Sequence, residues 1–316
     1  MWLHLLVFLI LITLYRRYRY SLTLESLANK YVLITGCDSG FGNQLAKQLD
    51  RRGLRVLATC FTEKGAEDLK KETSSRLQTV ILDIANNQSV ISVAKWVTDI
   101  VGDKGLWGLV NNAGTGMPGT PNEWLSKEDF ARVVNVNLLG TIDVTLNLLP
   151  LIRKSKGRIV NVSSIAGRVT ICGGGYCISK FGIEAFSDSL RRELRPFGVR
   201  ISIIAPGYFK TGLNDMKWMK DTLKNIWRDV HPEIKHSYGE KYFNDYVSDL
   251  EKSFQLFCNT DITQVTNCME HALTAVYPKT RYSGGWDAKF LFIPLSYVPT
   301  VLADYLLTRT APTPAY

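Results

Sequence analysis

The stretch YVLITGCDSGFG, residues 31–42, decides the fold. Its first half is a continuously apolar run, which is typical of a strand buried on both faces. Its second half places Gly36, Gly40 and Gly42 in a turn between that strand and a following helix. Glycine in such a turn lets the backbone approach a pyrophosphate, whose charge the helix N-terminus stabilises. The spacing differs from the common G-x-G-x-x-G pattern, but its position after the first strand indicates a dinucleotide site.

The chain from residue 30 onwards repeats this alternation of apolar runs and amphipathic stretches. One helix is predicted in SGFGNQLAKQLDRRG, where Leu45 and Leu49 lie four residues apart and Gly53 offers a stop. Another begins at the capping box formed by Ser126 and Asp129. The alternation predicts an α/β fold with a doubly wound parallel sheet, covered by helices on both faces. The predicted strands are 31–36, 55–60, 79–84, 108–114, 157–164, 199–207 and 287–295.

Residues 208–258 interrupt the alternation between the sixth and seventh predicted strands. Apolar side chains recur there at helical spacing in two stripes. The first stripe is Met219, Leu223, Ile226 and Trp227, and the second is Tyr242, Tyr246, Leu250 and Phe254. The segment is either a pair of packing helices or a lid over a site at the carboxyl ends of the strands. We favour a lid, because ligands bind at that edge of such sheets.

Composition narrows the classes of partner. The chain has 316 residues, 46% of them hydrophobic, and a formal net charge of +9. Its tight basic cluster, Arg16, Arg17 and Arg19, directly follows an apolar run, which favours a membrane over nucleic acid as the partner. The six cysteines form no CxxC pair and are expected to be mostly free thiols, and the four histidines have no ligand spacing. No metal site and no nucleic-acid partner are expected.

The N-terminal segment, residues 1–20, is predicted to be an uncleaved membrane anchor. Its apolar part is about 15 residues long, against the roughly 20 that a full span prefers. The basic cluster after it places residues 21–316, a single domain, on the cytoplasmic side of the membrane. A buried N-terminal helix is the alternative, and glycosylation of Asn87 in its NQS sequon would indicate a lumenal domain instead. The apolar tail, 290–316, could contact membrane, the domain itself or a second subunit of a homo-oligomer.

The octet GGGYCISK, residues 173–180, places Tyr176 and Lys180 on one face of a helix that begins there. Ser164 ends the fifth predicted strand, so its hydroxyl should meet the phenol and the ammonium at one edge of the sheet. The ammonium favours the phenolate, and we expect it to lower the pKa of Tyr176 from its ordinary value near 10. The phenol would then serve as an acid/base. The alternative is an ordinary surface pair.

Polar residues also follow the third and fourth strands. Asp83 ends the third and could accept a hydrogen bond from an adenine amino group. Asn111 and Asn112 end the fourth and could tie neighbouring strand ends together. Asparagine at a strand end is more often a turn former than a site residue, and both roles are compatible here.

Taken together, TGxxxGxG (35–42), NNAG (111–114), Ser164 and YxxxK (176–180) resemble the short-chain dehydrogenase/reductase family over roughly residues 30–295. The resemblance implies a Rossmann-like domain, a nicotinamide cofactor and hydride transfer to or from an alcohol carbon. The segments FTEKGAE (61–67), DKGLWGLVNNAG (103–114) and RYSGGWDAK (281–289) resemble the branch of microsomal retinol dehydrogenases and 3α- and 17β-hydroxysteroid dehydrogenases. This similarity implies oxidation of retinol, hydroxysteroids or both at the membrane of the endoplasmic reticulum.

The resemblance also implies roles for individual residues. Tyr176 is expected to be the general acid/base, Lys180 to bind the nicotinamide ribose, Ser164 to position the substrate and Asn137 to support a proton relay. Ala205 departs from the acidic residue that many relatives have before PG, which puts no catalytic role in doubt. The cofactor-binding residues so implied are Gly36, Ser39, Gly40, Phe41, Gly42, Asp83, Asn111, Gly114, Tyr176, Lys180, Pro206, Gly207 and Thr211.

The glycine loop favours NAD over NADP. It carries Asp38, which would repel a 2′-phosphate, and Lys64 is the only cation near the end of the second strand. That strand end itself offers no clear acidic partner for the ribose hydroxyls. Two other interpretations stay open: the same chemistry on another lipid alcohol, and a non-catalytic binder of lipid or cofactor on this fold.

Overall fold

A computed structural model describes residues 2–212 and 215–316. Its centre is one sheet of seven parallel strands in the order β3-β2-β1-β4-β5-β6-β7. The strands are β1 (Tyr31–Ile34), β2 (Arg55–Cys60), β3 (Gln78–Ile81), β4 (Gly108–Asn111), β5 (Arg158–Val162), β6 (Arg200–Pro206) and β7 (Arg281–Gly284). The order reverses between β1 and β4, and ligands bind at such a switch point in open α/β sheets. The predicted fold class is confirmed.

Helices cover both faces of the sheet, as the continuously apolar strands require. Side chains of alternate residues reach two separate cores: Val32 and Ile34 pack on one face and Leu33 on the other. The helices are α1 (Trp2–Ser21), α2 (Gly40–Arg51), α3 (Glu63–Lys71), α4 (Asn87–Val101), α5 (Lys127–Val134), α6 (Thr141–Lys154), α7 (Gly175–Leu194), α8 (Met216–Asp229), α9 (Pro232–Phe257), α10 (Thr263–Thr274), α11 (Ile293–Leu295) and α12 (Thr300–Thr308).

Local signals place the helix ends where the sequence predicts them. The Ser126 side chain accepts a hydrogen bond from Asp129 N and the Asp129 side chain accepts one from Ser126 N, which completes the capping box at α5. Gly53 follows α2 with a φ of +88°, a conformation that L side chains rarely adopt. Between α5 and α6 the helix widens into a π-helical turn, Asn135–Gly140.

The seventh strand is not where the sequence analysis placed it. The strand that pairs with β6 is Arg281–Gly284, and residues 287–295 are helical instead. The apolar run misled because its buried members, Ala288, Phe292 and Leu295, follow helical spacing rather than an unbroken buried strand. Gly285, with a φ of +93°, separates the strand from this turn.

The described part of segment 208–258 forms two helices, α8 and α9, and both predicted apolar stripes are confirmed. Leu223 and Trp227 of α8 are buried with Phe243 of α9, and Gly239 kinks α9 with a φ of +81°. Trp124, from the loop after β4, packs into the same cluster, 4.8 Å from Trp227 between ring centroids. Leu213 and Asn214, inside the predicted lid, lie outside the described residues.

The N-terminal helix α1 stands away from the domain with exposed apolar side chains, while its last turn is docked. The His271 ring contacts the carbonyl of Tyr20 through Nε2 at 2.6 Å, and Thr23 bridges to Ala275. By length and composition, one helix of the described ranges is apolar enough to cross a membrane, Lys127–Lys154, with 39% of its apolar window buried. That helix, α5 through α6, belongs to the folded core.

Candidate active site

Three predicted catalytic side chains meet at the carboxyl edge of the sheet. β5 ends at Val162, two residues before Ser164, and α7 begins at Gly175, one residue before Tyr176. Gly174, with a φ of +88°, turns the chain into that helix. Lys180 lies one turn further along α7, on the same face as Tyr176. The structure therefore brings the hydroxyl, phenol and ammonium together, as expected.

Lys180 is held as a buried cation. Only 6% of the residue is exposed, and its Nζ donates a hydrogen bond to the carbonyl of Val162 at 2.9 Å. The same nitrogen lies 5.6 Å from the centroid of the Tyr176 ring. Burial lowers the pKa of Lys180 to about 8, because desolvation disfavours the charged form. The ammonium thus sits beside the phenol with little solvent to screen it.

The pKa of Tyr176 differs from the expected direction. Burial raises it to about 12, and the interaction with the Ser164 hydroxyl lowers it only in part. The expectation that the Lys180 ammonium lowers this pKa is therefore wrong, because desolvation of the phenolate is the largest influence on it. A further positive charge close to the phenol would favour the phenolate.

Ser164 and Asn137 are both fixed by local backbone. The Ser164 Oγ accepts a hydrogen bond from Ala166 N at 3.1 Å, at the start of a 3₁₀ turn. Asn137 lies in the π-helical turn, 1% exposed, and its Oδ1 accepts from Thr115 N at 2.7 Å. Its Nδ2 donates to Ser179 Oγ at 3.2 Å, which links it to α7. π-helical turns of this kind are frequent at functional sites.

The glycine loop leaves no room for a side chain at Gly36 or Gly42. A Cβ on Gly36 would lie 2.8 Å from Ala113 Cα, and one on Gly42 would lie 2.3 Å from the Gly36 carbonyl oxygen. Gly36 and Gly40 also have φ of +71° and +62°. Ser39 precedes α2 without a side-chain cap, so the first backbone N–H groups of α2 remain available to a phosphate. Phe41 packs edge-on against Phe209, 5.6 Å between centroids.

The asparagines after β4 tie strands together, as predicted. Asn111 Nδ2 donates to Asn161 Oδ1 on β5 and to Thr145 Oγ1 on α6, each at 2.8 Å. Asn112 Nδ2 donates to the Gly36 carbonyl at 3.0 Å, which joins β4 to the glycine loop. A Cβ on Gly114 would meet Asn137 Oδ1 at 3.1 Å, so this turn adjoins the predicted catalytic residue Asn137. Asn111 is fully buried and acts here as a brace.

Asp83 and Thr211 border the same edge. Asp83 is half-buried after β3, and its Oδ1 accepts a hydrogen bond from Ala85 N at 2.9 Å. A Cβ on Gly40 would lie 3.6 Å from Thr211 Cβ, so the PGxxxT segment adjoins the glycine loop. Pro206 ends β6 and Gly207 follows it at the same edge. Thr211 and Gly40 are therefore neighbours, while Asp83 and Gly207 follow the carboxyl ends of β3 and β6.

The comparisons with known proteins agree with this geometry. The sequence profile described as short chain dehydrogenase matches residues 30–221, more than half of the chain. The chain belongs to the short-chain dehydrogenase family. It is therefore an oxidoreductase that acts on CH–OH groups, and its cofactor is a nicotinamide dinucleotide.

Two relatives of this short-chain dehydrogenase match over its full length. It is 57% identical over 315 residues to human retinol dehydrogenase 16, with 100% of this chain and 99% of the relative covered. The same identity, length and coverage hold for human 17-beta-hydroxysteroid dehydrogenase type 6.

Two solved structures share the fold. A short-chain dehydrogenase from Streptomyces avermitilis gives a TM-score of 0.69 at 24% identity, covering 88% of this chain and 94% of its own. A metagenomic short-chain oxidoreductase in complex with NADP gives a TM-score of 0.54 at 28% identity, covering 58% and 84% respectively.

Sequence reasoning understated Asp38 of this short-chain dehydrogenase. Its carboxylate accepts hydrogen bonds from the backbone N–H groups of Phe61 at 2.8 Å and Thr62 at 2.9 Å. The backbone of Asp38 lies in the glycine loop, and its side chain extends to the carboxyl end of β2. In dinucleotide-binding folds an acidic residue at that position binds ribose hydroxyls. Gly65 permits this, since a Cβ there would lie 2.5 Å from Asp38 Oδ1.

Sequence reasoning missed Asp287 altogether. It is fully buried, its Oδ2 accepts a hydrogen bond from Tyr208 N at 2.7 Å, and desolvation raises its pKa. A Cβ on Gly207 would lie 2.0 Å from Asp287 Oδ2, so a side chain at this position would clash with the carboxylate. The sequence analysis missed Asp287 because it placed this residue in the predicted seventh strand. From that position nothing indicated that its carboxylate would contact Gly207.

Proposed function

We propose that this short-chain dehydrogenase oxidises an apolar alcohol, a retinoid or a 3α- or 17β-hydroxysteroid, to the carbonyl with NAD at a membrane. The observation that carries the proposal is the equal identity, 57% in each case, to a protein named for retinol and one named for a hydroxysteroid. Both matches extend through the segment between β6 and β7, which is the part expected to contact substrate.

The site residues support a single proton path. Ser164, fixed by Ala166 N, orients the substrate hydroxyl toward the Tyr176 oxygen. The Tyr176 phenolate takes the hydroxyl proton as the carbinol C–H leaves as hydride, and the alcohol becomes a carbonyl. Bound NAD supplies the hydride acceptor and a positively charged ring. The buried ammonium of Lys180 stabilises the phenolate and is placed to contact the cofactor ribose.

Asn137 supports the return of the proton to solvent. It is anchored at Thr115 and reaches Ser179, whose hydroxyl donates to the Tyr176 carbonyl at 2.7 Å. This arrangement makes Asn137 a positioning residue for the start of α7, where the proposed proton relay begins at Tyr176. Burial of Asn137 keeps its side chain in one place.

The choice of NAD rests on Asp38. A carboxylate at the end of β2 offers two acceptor oxygens to ribose hydroxyls and repels a 2′-phosphate. Lys64 lies two residues beyond Thr62 in the sequence, and its ammonium is a positive charge that could partly compensate. Because a relative of this fold holds NADP, the residues around β2 rather than the fold decide the preference.

Aromatic side chains and α1 support an apolar, membrane-partitioned substrate. Tyr208, next to Gly207, packs against Phe254 and Phe257 of α9 at 5.4 and 6.0 Å between centroids. These contacts support our proposal that the described part of segment 208–258 covers the carboxyl edge of the sheet as a lid. The exposed apolar surface of α1, followed by Arg16, Arg17 and Arg19, suits an anchor in the endoplasmic reticulum with the domain facing the cytoplasm.

The test compares alcohols on one membrane preparation. Membranes from cells that express the full chain are incubated with NAD and all-trans-retinol, a cis-retinol, androstanediol or estradiol. We expect NADH formation on at least one, reduced by about 10²–10⁴-fold in Tyr176→Phe. Tyr305→Phe on exposed α12 is the matched control and should equal the parent.

Two outcomes contradict the proposal. Equal turnover by Tyr176→Phe and parent would remove the phenol from the chemistry. Absence of turnover on every alcohol, with NAD still bound, would leave a different lipid alcohol or a binding protein as the function.

A further inference from the structure

A basic cavity lies between α1 and the amino-terminal edge of the sheet, away from Tyr176. It consists of two adjoining depressions of about 660 and 650 Å³ that share Arg16, Tyr20, Pro278 and Thr280. Four separate parts of the chain line it: α1, the end of α7, the start of β6 and the segment before β7. Its cationic residues are Arg16, Arg17, Arg19, Arg191, Arg192, Arg195, Arg200, Lys279 and Arg281.

The cavity has an excess of positive charge. Neither depression is lined by an aspartate or glutamate. Among the described residues, Asp188 forms ion pairs with Arg191 at 3.2 Å and Arg281 at 2.8 Å, and Glu184 also contacts Arg281. The other arginines of the cavity form no ion pair with a carboxylate in the described ranges. Arg200 also donates a hydrogen bond to the Val276 carbonyl, and the remaining guanidinium N–H groups of these arginines are donors for an anion.

Ordinary structural roles explain part of this set. Arg191 and Arg192 lie in the last turn of α7, where cations favour the helix dipole. Arg19 stacks on the ring of Tyr277, 4.0 Å from its centroid. These roles do not require Arg16 of α1 to face Arg195 and Arg200 of the domain across a cavity. Bringing like charges together without an anion costs free energy.

We propose that the basic cavity binds the phosphate of an anionic phospholipid headgroup. This inference rests on the proposed anchoring through α1, because the cavity adjoins the basic end of that apolar helix, where headgroups lie. Guanidinium groups bind phosphate oxygens in a bidentate manner, and clusters of arginine beside a membrane segment attract anionic lipids. The cavity volume admits a headgroup larger than a single phosphate.

The site is separate from the chemistry. Tyr176 and Lys180 lie in the first turns of α7 and Arg191 and Arg192 in its last turn, in a helix of 20 residues that is about 30 Å long. Headgroup binding would hold the domain in one orientation on the membrane and leave the active site unchanged. Loss of the cavity charges should therefore alter lipid preference without altering turnover in neutral lipid.

The experiment uses the full chain in phosphatidylcholine nanodiscs, with or without about 10 mol% phosphatidylinositol 4-phosphate as the probe. Association of the labelled lipid is measured for the parent, for Arg192→Gln/Arg195→Gln and for the same pair with Arg16→Gln. Lys95→Gln/Lys104→Gln removes equal charge from exposed helix positions elsewhere. Inositol phosphate and inorganic phosphate are added as soluble competitors.

We expect the double variant to weaken association by about 10-fold or more, and Arg16→Gln to weaken it further. The lysine control should match the parent, and turnover in pure phosphatidylcholine should be equal in all four proteins. Equal loss in the control, or no loss in the triple variant, would overturn the proposal. Displacement by inorganic phosphate as readily as by lipid would instead indicate a site for soluble phosphate. Carbonate extraction of the same variants tests the anchor separately, so failure of the anchor and of the cavity can be distinguished.

Discussion

Lys180 keeps its ammonium 5.6 Å from the centroid of the Tyr176 ring while donating a hydrogen bond to the Val162 carbonyl. The ammonium is thus fixed by the backbone, and no carboxylate among the described residues forms an ion pair with it. Such a buried charge destabilises the folded chain but strengthens every electrostatic interaction with the phenol.

This arrangement predicts a stability cost that depends on pH. Burial lowers the pKa of Lys180 from 10.5 to about 8. Below pH 8 the folded and unfolded chains both carry the proton, so the full penalty of the buried charge is present. Between pH 8 and 10.5 the folded chain loses the proton first, and the parent gains stability as pH rises. Lys180→Met has no such gain.

We therefore expect the free energy of unfolding of the parent, relative to Lys180→Met, to rise by about 2–3 kcal/mol between pH 7 and 10.5. Denaturant unfolding of both proteins across this range measures it, and activity of the variant should fall by about 10²-fold or more. Lys95→Met, at an exposed position of α4, should show no pH-dependent difference. A difference that is constant with pH would contradict the buried-charge account.

A second prediction concerns the phenol itself. Burial raises the pKa of Tyr176 to about 12. We expect the positively charged ring of bound NAD to lower this pKa toward neutral pH. A ligand that lowers a pKa binds more tightly once the pH exceeds that lowered pKa. Affinity for oxidised NAD should therefore increase by about 10-fold between pH 7 and 9, whereas affinity for NADH should not.

Calorimetric titration of NAD at each pH measures this linkage. Tyr176→Phe retains Lys180, so any titration of the ammonium is common to both proteins and the difference reports the phenol alone. Tyr305→Phe should follow the parent. An equal pH dependence in Tyr176→Phe would assign the effect to Lys180 instead.

The third prediction concerns cofactor preference. Asp38 places its carboxylate on Phe61 N and Thr62 N at the end of β2. Asp38→Asn keeps the size of the side chain and removes the charge, so the ratio of kcat/KM for NAD to that for NADP should fall by about 10-fold. Asp68→Asn on α3 is a nearby exposed control and should leave the ratio unchanged. A greater kcat/KM with NADP in the parent would refute the choice of NAD.

Particular residues show how far the sequence alone could reach. The glycine loop, β1 to β6 and the meeting of Ser164, Tyr176 and Lys180 follow from spacing and burial pattern, which are local or nearly local properties. Asp38 and Asp287 were understated or missed because their importance depends on where the chain places them in space. The direction of the pKa shift of Tyr176 was misjudged because its largest cause is burial, which the sequence does not report.

The seventh strand illustrates a different limit. Residues 287–295 have the apolar composition that is also typical of a buried strand. Only the spacing of their buried apolar residues, Ala288, Phe292 and Leu295, distinguishes a helix from a strand. Length did not decide it, because the segment is short enough for either element. β7 itself alternates half-buried and buried residues at the sheet edge, which gives a weak hydrophobic signal.

The last prediction follows from the contact between Gly207 and Asp287. A Cβ on Gly207 would lie 2.0 Å from Asp287 Oδ2, so Gly207→Ala should be strongly destabilising. Asp287→Ala also destabilises the chain, because Tyr208 N loses its acceptor. The double variant should lose less free energy of unfolding than the sum of the two single losses, by about 1–3 kcal/mol, since removing the carboxylate makes room for the methyl group.

Denaturant unfolding of the parent, the two single variants and the double variant measures this coupling. Gly53 also has a positive φ, +88°, but a Cβ there would meet no other atom within 4 Å. The effects of Gly53→Ala and Asp287→Ala on the free energy of unfolding should therefore be additive. Additivity in the Gly207 cycle as well would show that the glycine is required for another reason.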